Sequence, residues 1–189
     1  MYKTGPCLIF LSRASYIYRT MKRLLTLILL YSTATFAQEK LNPTHKFSIT
    51  GLVVKESVIT IDSIMQYKVQ EIGEMNVTNH LGEFKHKDDQ LKGVLLKDVL
   101  SHTAYKTSSP KLLSTFYFVC QGNDGYKVVY SWNELYNTEV GNHVLILTEK
   151  NGIKADKMPE SLQMTSAADF KTGRRYLHNL DKIIVKQAE

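Results

Sequence analysis

The sequence predicts an α+β fold: a strand-rich, mixed-sheet or barrel-like domain in which short helices connect the strands. Short runs of alternating apolar residues recur between residues 46 and 186, and Gly, Asn and Asp separate them. Helical spacing is confined to brief stretches, as expected for connectors rather than for a helical layer. Because no repeat, linker or low-complexity tract interrupts residues 38–189, they are predicted to form a single domain.

Residues 1–37 are predicted to be a leader. The segment 21–37 has two positive charges, an apolar run over Leu24–Tyr31 and a small-residue exit, which is typical of a secretory signal peptide. The apolar run is shorter than the roughly 20 residues of a permanent membrane span. Met21 is therefore expected to be the true start; the alternative is that residues 1–20 form a first helix. The mature domain is predicted to be periplasmic or secreted, without a permanent span.

The charge balance does not favour a nucleic-acid partner once the leader is removed, so none is predicted. The whole chain has 24 basic and 18 acidic residues, a formal charge of +6. Residues 1–37 contain five basic residues and no acidic one. The mature chain therefore has 19 basic and 18 acidic residues. Nucleic-acid binding rests on a basic face that neutralises phosphates. Cys7 leaves with the leader and Cys120 stays alone, so no internal disulfide is expected.

The first half of the domain is predicted to contain strands and one helical turn. Residues 46–54 alternate around a glycine and predict a first strand. Residues 58–67 predict a short strand that passes into a helical turn, with Asp62 as its N-cap. Residues 74–93 predict a strand, a turn at Gly82 and a polar stretch.

The middle of the chain carries the clearest local signals. Residues 94–105 have apolar side chains at helical spacing and predict a short amphipathic helix. Two aromatic and β-branched runs within 113–135 flank Gly122-Asn123-Asp124-Gly125, which predicts a hairpin because these residue types accept positive φ. Ser131 and Glu134 have the spacing of a capping box that starts a small helix.

The last third predicts a second hairpin and a basic loop between two strands. Residues 143–155 place Asn151-Gly152 at a hairpin turn. Residues 161–166 and 180–186 predict the two further strands. The loop between them, "ADFKTGRRYLHN", concentrates positive charge that a strand connection does not need for folding.

Three motifs in this order resemble a known family. They are "LKGVLLKDVL", "NDGYKVVYSWNEL" and "DFKTGRRYL", and the resemblance covers nearly all of residues 47–186. The chain resembles the small exported members of the oxidoreductase molybdopterin-binding domain family, whose fold is that of sulfite oxidase. The resemblance implies that fold and, as a cofactor, molybdopterin.

The resemblance also implies a phosphate-binding or anion-binding pocket. Lys171 and Arg175 match the Lys and Arg that lie beside the pyranopterin phosphate in the larger enzymes, whereas Arg174 stands where the family often has a small residue. An ammonium, a guanidinium fork and a glycine, Gly173, together suit an anion. The remaining residues expected at this pocket are His80, Asp124 and Tyr126.

The alternative is that the three cations of the loop form a solvated surface turn. Asp169 and Asp181 would then pair with them, at less than about 1 kcal/mol for each pair.

Two departures from the family argue against molybdenum chemistry. Residues 76–93, where the family places its molybdenum-ligating cysteine, contain none; Thr78, Asn79 and His80 stand near that position. Cys120 lies in an apolar strand and is expected to be a small buried hydrophobe. The leader, moreover, resembles a general secretory signal. That route exports unfolded chains, and an unfolded chain cannot carry a preloaded pterin.

Histidines and acids do not form a recognisable metal motif, so no metal site is predicted. His80 and His86 flank the Gly82 turn with Glu83 and Asp88 nearby, but their spacing matches no strong motif. His86 is interpreted as an ordinary polar position. No nucleophile elbow or nucleotide-type glycine loop is present, and no catalytic residue is assigned.

These observations support a noncatalytic, sulfite oxidase-like domain that binds an anionic small molecule, a pterin or a partner chain. The alternative is a molybdopterin-dependent oxidoreductase that performs oxygen-atom or electron transfer outside the cytoplasm. A third hypothesis is a scaffold or redox-partner subunit whose basic loop is incidental. Fold-level analogy alone does not decide between them.

Overall fold

Two sheets carry the fold in the computed structural model, which describes Lys22 and residues 42–189. The strands are β1 (Lys46–Gly51), β2 (Ser57–Thr60), β3 (Val69–Thr78), β4 (Phe84–Leu95), β5 (Phe116–Gly122), β6 (Lys127–Ser131), β7 (Val144–Lys150), β8 (Ile153–Lys154), β9 (Met164–Ser166) and β10 (Leu180–Gln187). Sheet 1 has the order β2-β1-β10-β5-β6; sheet 2 has the order β3-β4-β7-β8, with β9 paired to β7. The predicted strand-rich α+β class is confirmed.

Short helices connect these strands, as predicted. They are α1 (Ile61–Ile64), α2 (Leu96–Leu100) and α3 (Trp132–Tyr136), with 3-10 turns at Pro110–Thr115, Glu139–Asn142, Ala155–Lys157 and Thr172–Arg175. The last of these, Thr172–Arg175, is named the closing turn below. None of the helices in the described residues has the length and apolar character needed to cross a bilayer. Apart from Lys22, the predicted leader lies outside the described residues.

Sheet 1 is organised around β10, which lies between β1 and β5. Ile183 of β10 pairs with Ile49 of parallel β1 on one side and with Cys120 of antiparallel β5 on the other. Alternate residues of β5, among them Phe118 and Cys120, are fully buried, because successive side chains of a strand point to opposite faces. Burial raises the pKa of the Cys120 thiol to about 12, so this residue is an inert part of the core.

The two sheets share a hydrophobic core. Phe47 and Ile183 from sheet 1 belong to the same buried cluster as Val94 and Ile146 from sheet 2. A smaller second cluster lies on sheet 2, where Leu91 and Leu147 pack with Tyr176. The segment after the closing turn is therefore anchored to sheet 2 through Tyr176, whose ring faces the candidate site.

Local turn chemistry is confirmed at the predicted hairpin and cap. The amide of Gly122 donates to the carbonyl of Tyr126 at 2.9 Å, and Gly125 adopts a φ of +85°, which a glycine accepts without strain. The Ser131 side chain accepts from the Glu134 amide at 3.1 Å, and the Glu134 carboxylate accepts from the Ser131 amide at 2.8 Å. The capping box thus starts α3 as its spacing indicates.

Two local predictions are wrong. Thr60, not Asp62, is the N-cap of α1, because its hydroxyl accepts from the Ser63 amide at 3.2 Å. The helix expected over residues 94–105 is only α2, since Val94 and Leu95 still pair with β7 as the end of β4. At α2 long-range pairing with β7 moved the boundary, whereas at α1 the cap moved by two residues because of a local hydroxyl contact.

Candidate ligand site

A cavity of about 410 Å³ lies where the β3–β4 hairpin, the β5–β6 turn and the closing turn meet. These three segments are distant in sequence, and each contributes polar side chains to the wall. Four of the residues predicted for the pocket line it: His80, Asp124, Tyr126 and Gly173. Lys85, His86, Tyr176 and His178 line it as well, and sequence reasoning had assigned none of them to the pocket.

The closing turn lies along β3, which is an outer strand of sheet 2. The Thr172 hydroxyl donates to the Asn76 carbonyl at 2.8 Å and accepts from the Thr78 amide at 3.0 Å. A Cβ added to Gly173 would lie 1.9 Å from the Thr78 carbonyl oxygen. Glycine is therefore required here so that one backbone can approach another, and this contact sets one wall of the cavity.

Arg174 contacts both the β3–β4 turn and the β5–β6 turn. Its Nη2 donates to the carbonyl of His80 at 3.1 Å, and its own carbonyl accepts from the Tyr126 hydroxyl at 2.7 Å. Lys171 lies against the β3–β4 turn, with its Cε 3.6 Å from the position of a Cβ on Gly82. The closing turn thereby holds both neighbouring segments.

The cations at and beside the cavity lack acidic partners. Lys85 lines the wall, whereas Lys171 and Arg174 are not among the lining residues and lie next to Gly82 and His80. Among residues 42–189, no ion pair joins any of these three to a carboxylate. Of the three, Lys85 is the cation that the cavity wall presents to a ligand.

Arg175 has different partners from those the family resemblance implies. Its Nε donates to Asp169 Oδ2 at 2.7 Å, its Nη1 donates to Glu134 Oε1 at 3.1 Å, and its guanidinium lies 4.5 Å from the centre of the Tyr130 ring. The hydrogen bond to Asp169 is the main reason that the pKa of Arg175 is raised. The structure brings neither this guanidinium nor the Lys171 side chain into the wall of the cavity. Two carboxylates bind Arg175, so the acid-paired alternative, through Asp169, describes its geometry.

A buried carboxylate forms part of the structure behind the cavity wall. Asp88 on β4 is only 2% exposed. Its Oδ2 accepts from the Tyr176 hydroxyl at 2.8 Å, and its Oδ1 lies 3.4 Å from His86 Nε2. Burial, with a smaller contribution from Asp88, raises the pKa of Tyr176 and keeps its hydroxyl protonated as a donor.

His178 completes this wall on the other side of Tyr176. The two rings stack with centroids 4.9 Å apart. His178 Nδ1 lies 2.6 Å from Glu160 Oε2. Burial nevertheless lowers the pKa of His178, since removing the imidazolium from water outweighs the attraction of Glu160.

The residues present do not fit a molybdenum–thiolate centre. Thr78, Asn79 and His80, at the position where the family has its cysteine, do line the cavity, but none offers a soft sulfur ligand. Cys120 is fully buried in β5 and is not among the lining residues. Within residues 42–189, no group of three or more His, Cys, Asp or Glu side chains is arranged to hold a metal ion.

The fold of this chain is similar to that of a solved structure. No family model matches the chain, and no curated protein matches it. The crystal structure of the sulfane dehydrogenase SoxCD from Paracoccus pantotrophus is similar, with a TM-score of 0.54 and 13% sequence identity over 75% of this chain. The chain spans 38% of the length of that protein. The likeness confirms the predicted sulfite oxidase-like fold.

Proposed function

We propose that this domain keeps a sulfite oxidase-like fold and binds a small anionic molecule in the cavity, without molybdenum–thiolate chemistry. The observation that supports the proposal most directly is Lys85, which lines the cavity and forms no ion pair with a carboxylate within residues 42–189. Hydrogen bonds to charged groups are among the strongest that a polar ligand can form. An anion is the ligand that such a site recognises.

The acidic residue in the wall does not cancel this preference. Asp124 lies in the β5–β6 turn, where its Oδ1 accepts from the Tyr126 amide at 2.8 Å. That carboxylate accepts a hydrogen bond within its own turn, and Lys85 of β4 adds a positive charge to the same cavity wall. The Tyr126 hydroxyl is engaged by the Arg174 carbonyl, so the ligand is recognised through Lys85 and the imidazoles.

The predicted leader also indicates the compartment in which the ligand would be bound. A signal-peptide-like segment at 21–37 supports export to the periplasm or the medium. A small anion in that compartment, rather than a cofactor inserted in the cytoplasm, is the ligand that agrees with export of an unfolded chain.

Replacing Lys85 with alanine is expected to weaken anion binding about tenfold, because one charge-assisted contact of roughly 1.5 kcal/mol is lost. The full chain, purified from the periplasm of producing cells, is titrated calorimetrically with sulfate at constant ionic strength. Lys111→Ala removes an exposed lysine outside the cavity and serves as the matched control. Equal affinities for the two variants, or no sulfate binding by the wild type, contradict the proposal.

The second candidate function is a molybdopterin-dependent oxidoreductase, and the likeness to a sulfane dehydrogenase favours it. The cofactor would supply oxygen-atom or electron transfer. The same purified protein is assayed for molybdenum and for the fluorescence of oxidised pterin. Molybdenum near one equivalent per chain overturns the binding-domain proposal, whereas protein free of metal and pterin overturns the oxidoreductase.

A further inference from the structure

Two exposed phenylalanines lie at one corner of the domain, beside the cavity but outside its wall. The described residues 42–189 contain five phenylalanines, of which three are buried in the core: Phe47, Phe116 and Phe118. The other two are the most exposed large apolar side chains of these residues, since Phe170 is fully exposed and Phe84 is 66% exposed. Leu81, in the β3–β4 turn, is 62% exposed. Grouped apolar side chains, unlike single ones, mark a surface that contacts another body.

The contact between the β3–β4 turn and the loop before the closing turn brings these side chains together. Lys171 Cε lies 3.6 Å from the position of a Cβ on Gly82. Leu81 and Phe84 are within two residues of Gly82, and Phe170 directly precedes Lys171. The name "tip" is used below for five residues: Leu81, Phe84, Phe170, Lys171 and Arg174.

Hydrogen bonds hold the backbone on both sides of the tip, so its apolar side chains are exposed by a fixed structure. In the β3–β4 turn, Asn79 Oδ1 accepts from the amides of Leu81 and Glu83, at 2.9 and 3.0 Å. On the other side, Thr172 is bound to β3 through the Asn76 carbonyl and the Thr78 amide. Because these segments are already ordered, burial of the tip costs little further backbone entropy.

The tip also carries unpaired positive charge. Lys171 and Arg174 are exposed, and within residues 42–189 neither forms an ion pair with a carboxylate. The neighbouring acids are engaged: Glu83 accepts a side-chain hydrogen bond at 2.7 Å within its own turn, and Asp169 is bound by Arg175. The tip is therefore complementary to a negatively charged surface.

The directions of the side chains favour a fluid partner over a rigid one. Phe84 and Lys85 are successive residues of β4 and point to opposite faces of the sheet. Lys85 lines the cavity, so Phe84 points away from it, whereas Phe170 precedes the closing turn, which forms one cavity wall. A folded protein covers one side of such a projection. The interfacial layer of a bilayer surrounds it and takes up apolar side chains on every side.

A second copy of this chain is a poorer partner for the tip. A two-fold contact would place Lys171 and Arg174 against the same cations of the copy, and like charges that face each other destabilise a contact.

We propose that the tip is a membrane-binding site, at which Leu81, Phe84 and Phe170 enter the interface of a bilayer while Lys171 and Arg174 bind anionic headgroups. Apolar burial and electrostatic attraction both contribute to interfacial binding of this kind. The inference goes beyond the proposed anion cavity and does not depend on it, because none of the five residues lines the cavity.

The test is co-sedimentation of the purified full chain with vesicles of phosphatidylcholine and phosphatidylglycerol, which it is expected to bind. Phe170→Ala should weaken this binding about tenfold or more, because the apolar area of one phenylalanine is no longer buried. Lys171→Gln should weaken it about fivefold, and added salt should remove that difference. Val58→Ala removes an exposed apolar side chain on β2, outside the tip, and is the matched control that should bind as the wild type does.

A second readout separates insertion from adsorption by charge alone. In Phe170→Trp, emission should shift to shorter wavelength when vesicles are added, and lipids brominated on their acyl chains should quench it. The wild type, whose one tryptophan is Trp132 of α3, gives the baseline. Because Phe170 is fully exposed, both of its variants are expected to fold.

Three results would overturn the inference: no vesicle binding by the wild type, equal binding by wild type and Phe170→Ala, or emission of Phe170→Trp that vesicles leave unchanged. If vesicle binding is absent, sedimentation velocity identifies the occupant. Self-association that is lost in Phe170→Ala assigns the tip to a second copy, and a monomeric wild type assigns it to a different protein; either replaces the membrane. The sulfate titration tests the cavity separately, so failure here leaves the anion site standing.

Discussion

Replacement of Arg175 by alanine is expected to lower the free energy of unfolding by about 2–3 kcal/mol. The guanidinium holds Asp169 through two hydrogen bonds and Glu134 through a third, and it covers the ring of Tyr130. Removing it leaves the Asp169 carboxylate, which is 15% exposed, without its counter-charge. The value is below that of a fully buried pair because Arg175 itself is 21% exposed. Urea unfolding followed by Trp132 fluorescence measures it.

Arg174→Ala is the matched control, since it removes the same side chain from the neighbouring position. Arg174 makes one side-chain hydrogen bond, to the carbonyl of His80, and its loss should cost about 1 kcal/mol or less. Arg175→Lys keeps the charge but not the fork, and should fall between the two. If Arg174→Ala proves as destabilising as Arg175→Ala, the structural role given to Arg175 is wrong.

Replacement of Gly173 by alanine should cost about 3 kcal/mol of stability and also weaken sulfate binding. The added Cβ would lie 1.9 Å from the Thr78 carbonyl oxygen, which belongs to the backbone and cannot rotate away. The closing turn must move off β3, and with it the Thr172 hydrogen bonds that form one wall of the cavity. Denaturant unfolding and sulfate calorimetry on the same variant test both effects.

The Gly125→Asn variant is the control for Gly173→Ala. It tests backbone strain at a position where an added side chain has space. Gly125 has a positive φ of +85°, but a Cβ there meets nothing within 4 Å. Asparagine tolerates positive φ better than other side chains, so the cost should be roughly 1 kcal/mol or less. A Gly173→Ala protein as stable as Gly125→Asn and with unchanged sulfate affinity would contradict the packing argument.

The local elements of this fold could be predicted from sequence because their causes are local. The Gly122–Gly125 turn and the Ser131 capping box depend on residues within four positions of one another. The end of β4 could not be predicted in this way, because Val94 and Leu95 are held in a strand by their partners on β7. In such a stretch the helix that the apolar spacing favours competes with a strand that pairs with residues about 50 positions further on.

The candidate site was predictable only in part for the same reason. His80, Asp124, Tyr126 and Gly173 entered through family motifs or turn chemistry, and the structure places them around one cavity. The contact between Asp88 and Tyr176 joins residues 88 positions apart, and Asp88 sits in a charged run that indicates a solvated surface. The available signal was the spacing of His86 and Asp88, which puts both on one face of a strand.

Arg175 shows the limit of a prediction that rests on a sequence motif. The basic loop matches the family in residue type, but the direction of a side chain depends on the carboxylates that surround it. Glu134 belongs to the cap of α3 and Asp169 to the loop itself, and together they bind the guanidinium that the motif assigns to a phosphate. The sequence predicts that a cation is present in this loop, but it does not predict which group that cation binds.

The central position of β10 in sheet 1 has a consequence for how the protein is made. Its neighbours β1 and β5 are separated from it by long stretches of chain, so most of the sequence must be synthesised before this sheet can close. Until then two unpaired strand edges stay open to other chains, which is a hazard for aggregation. The exposure of those edges ends when β10 pairs with both strands and closes the sheet.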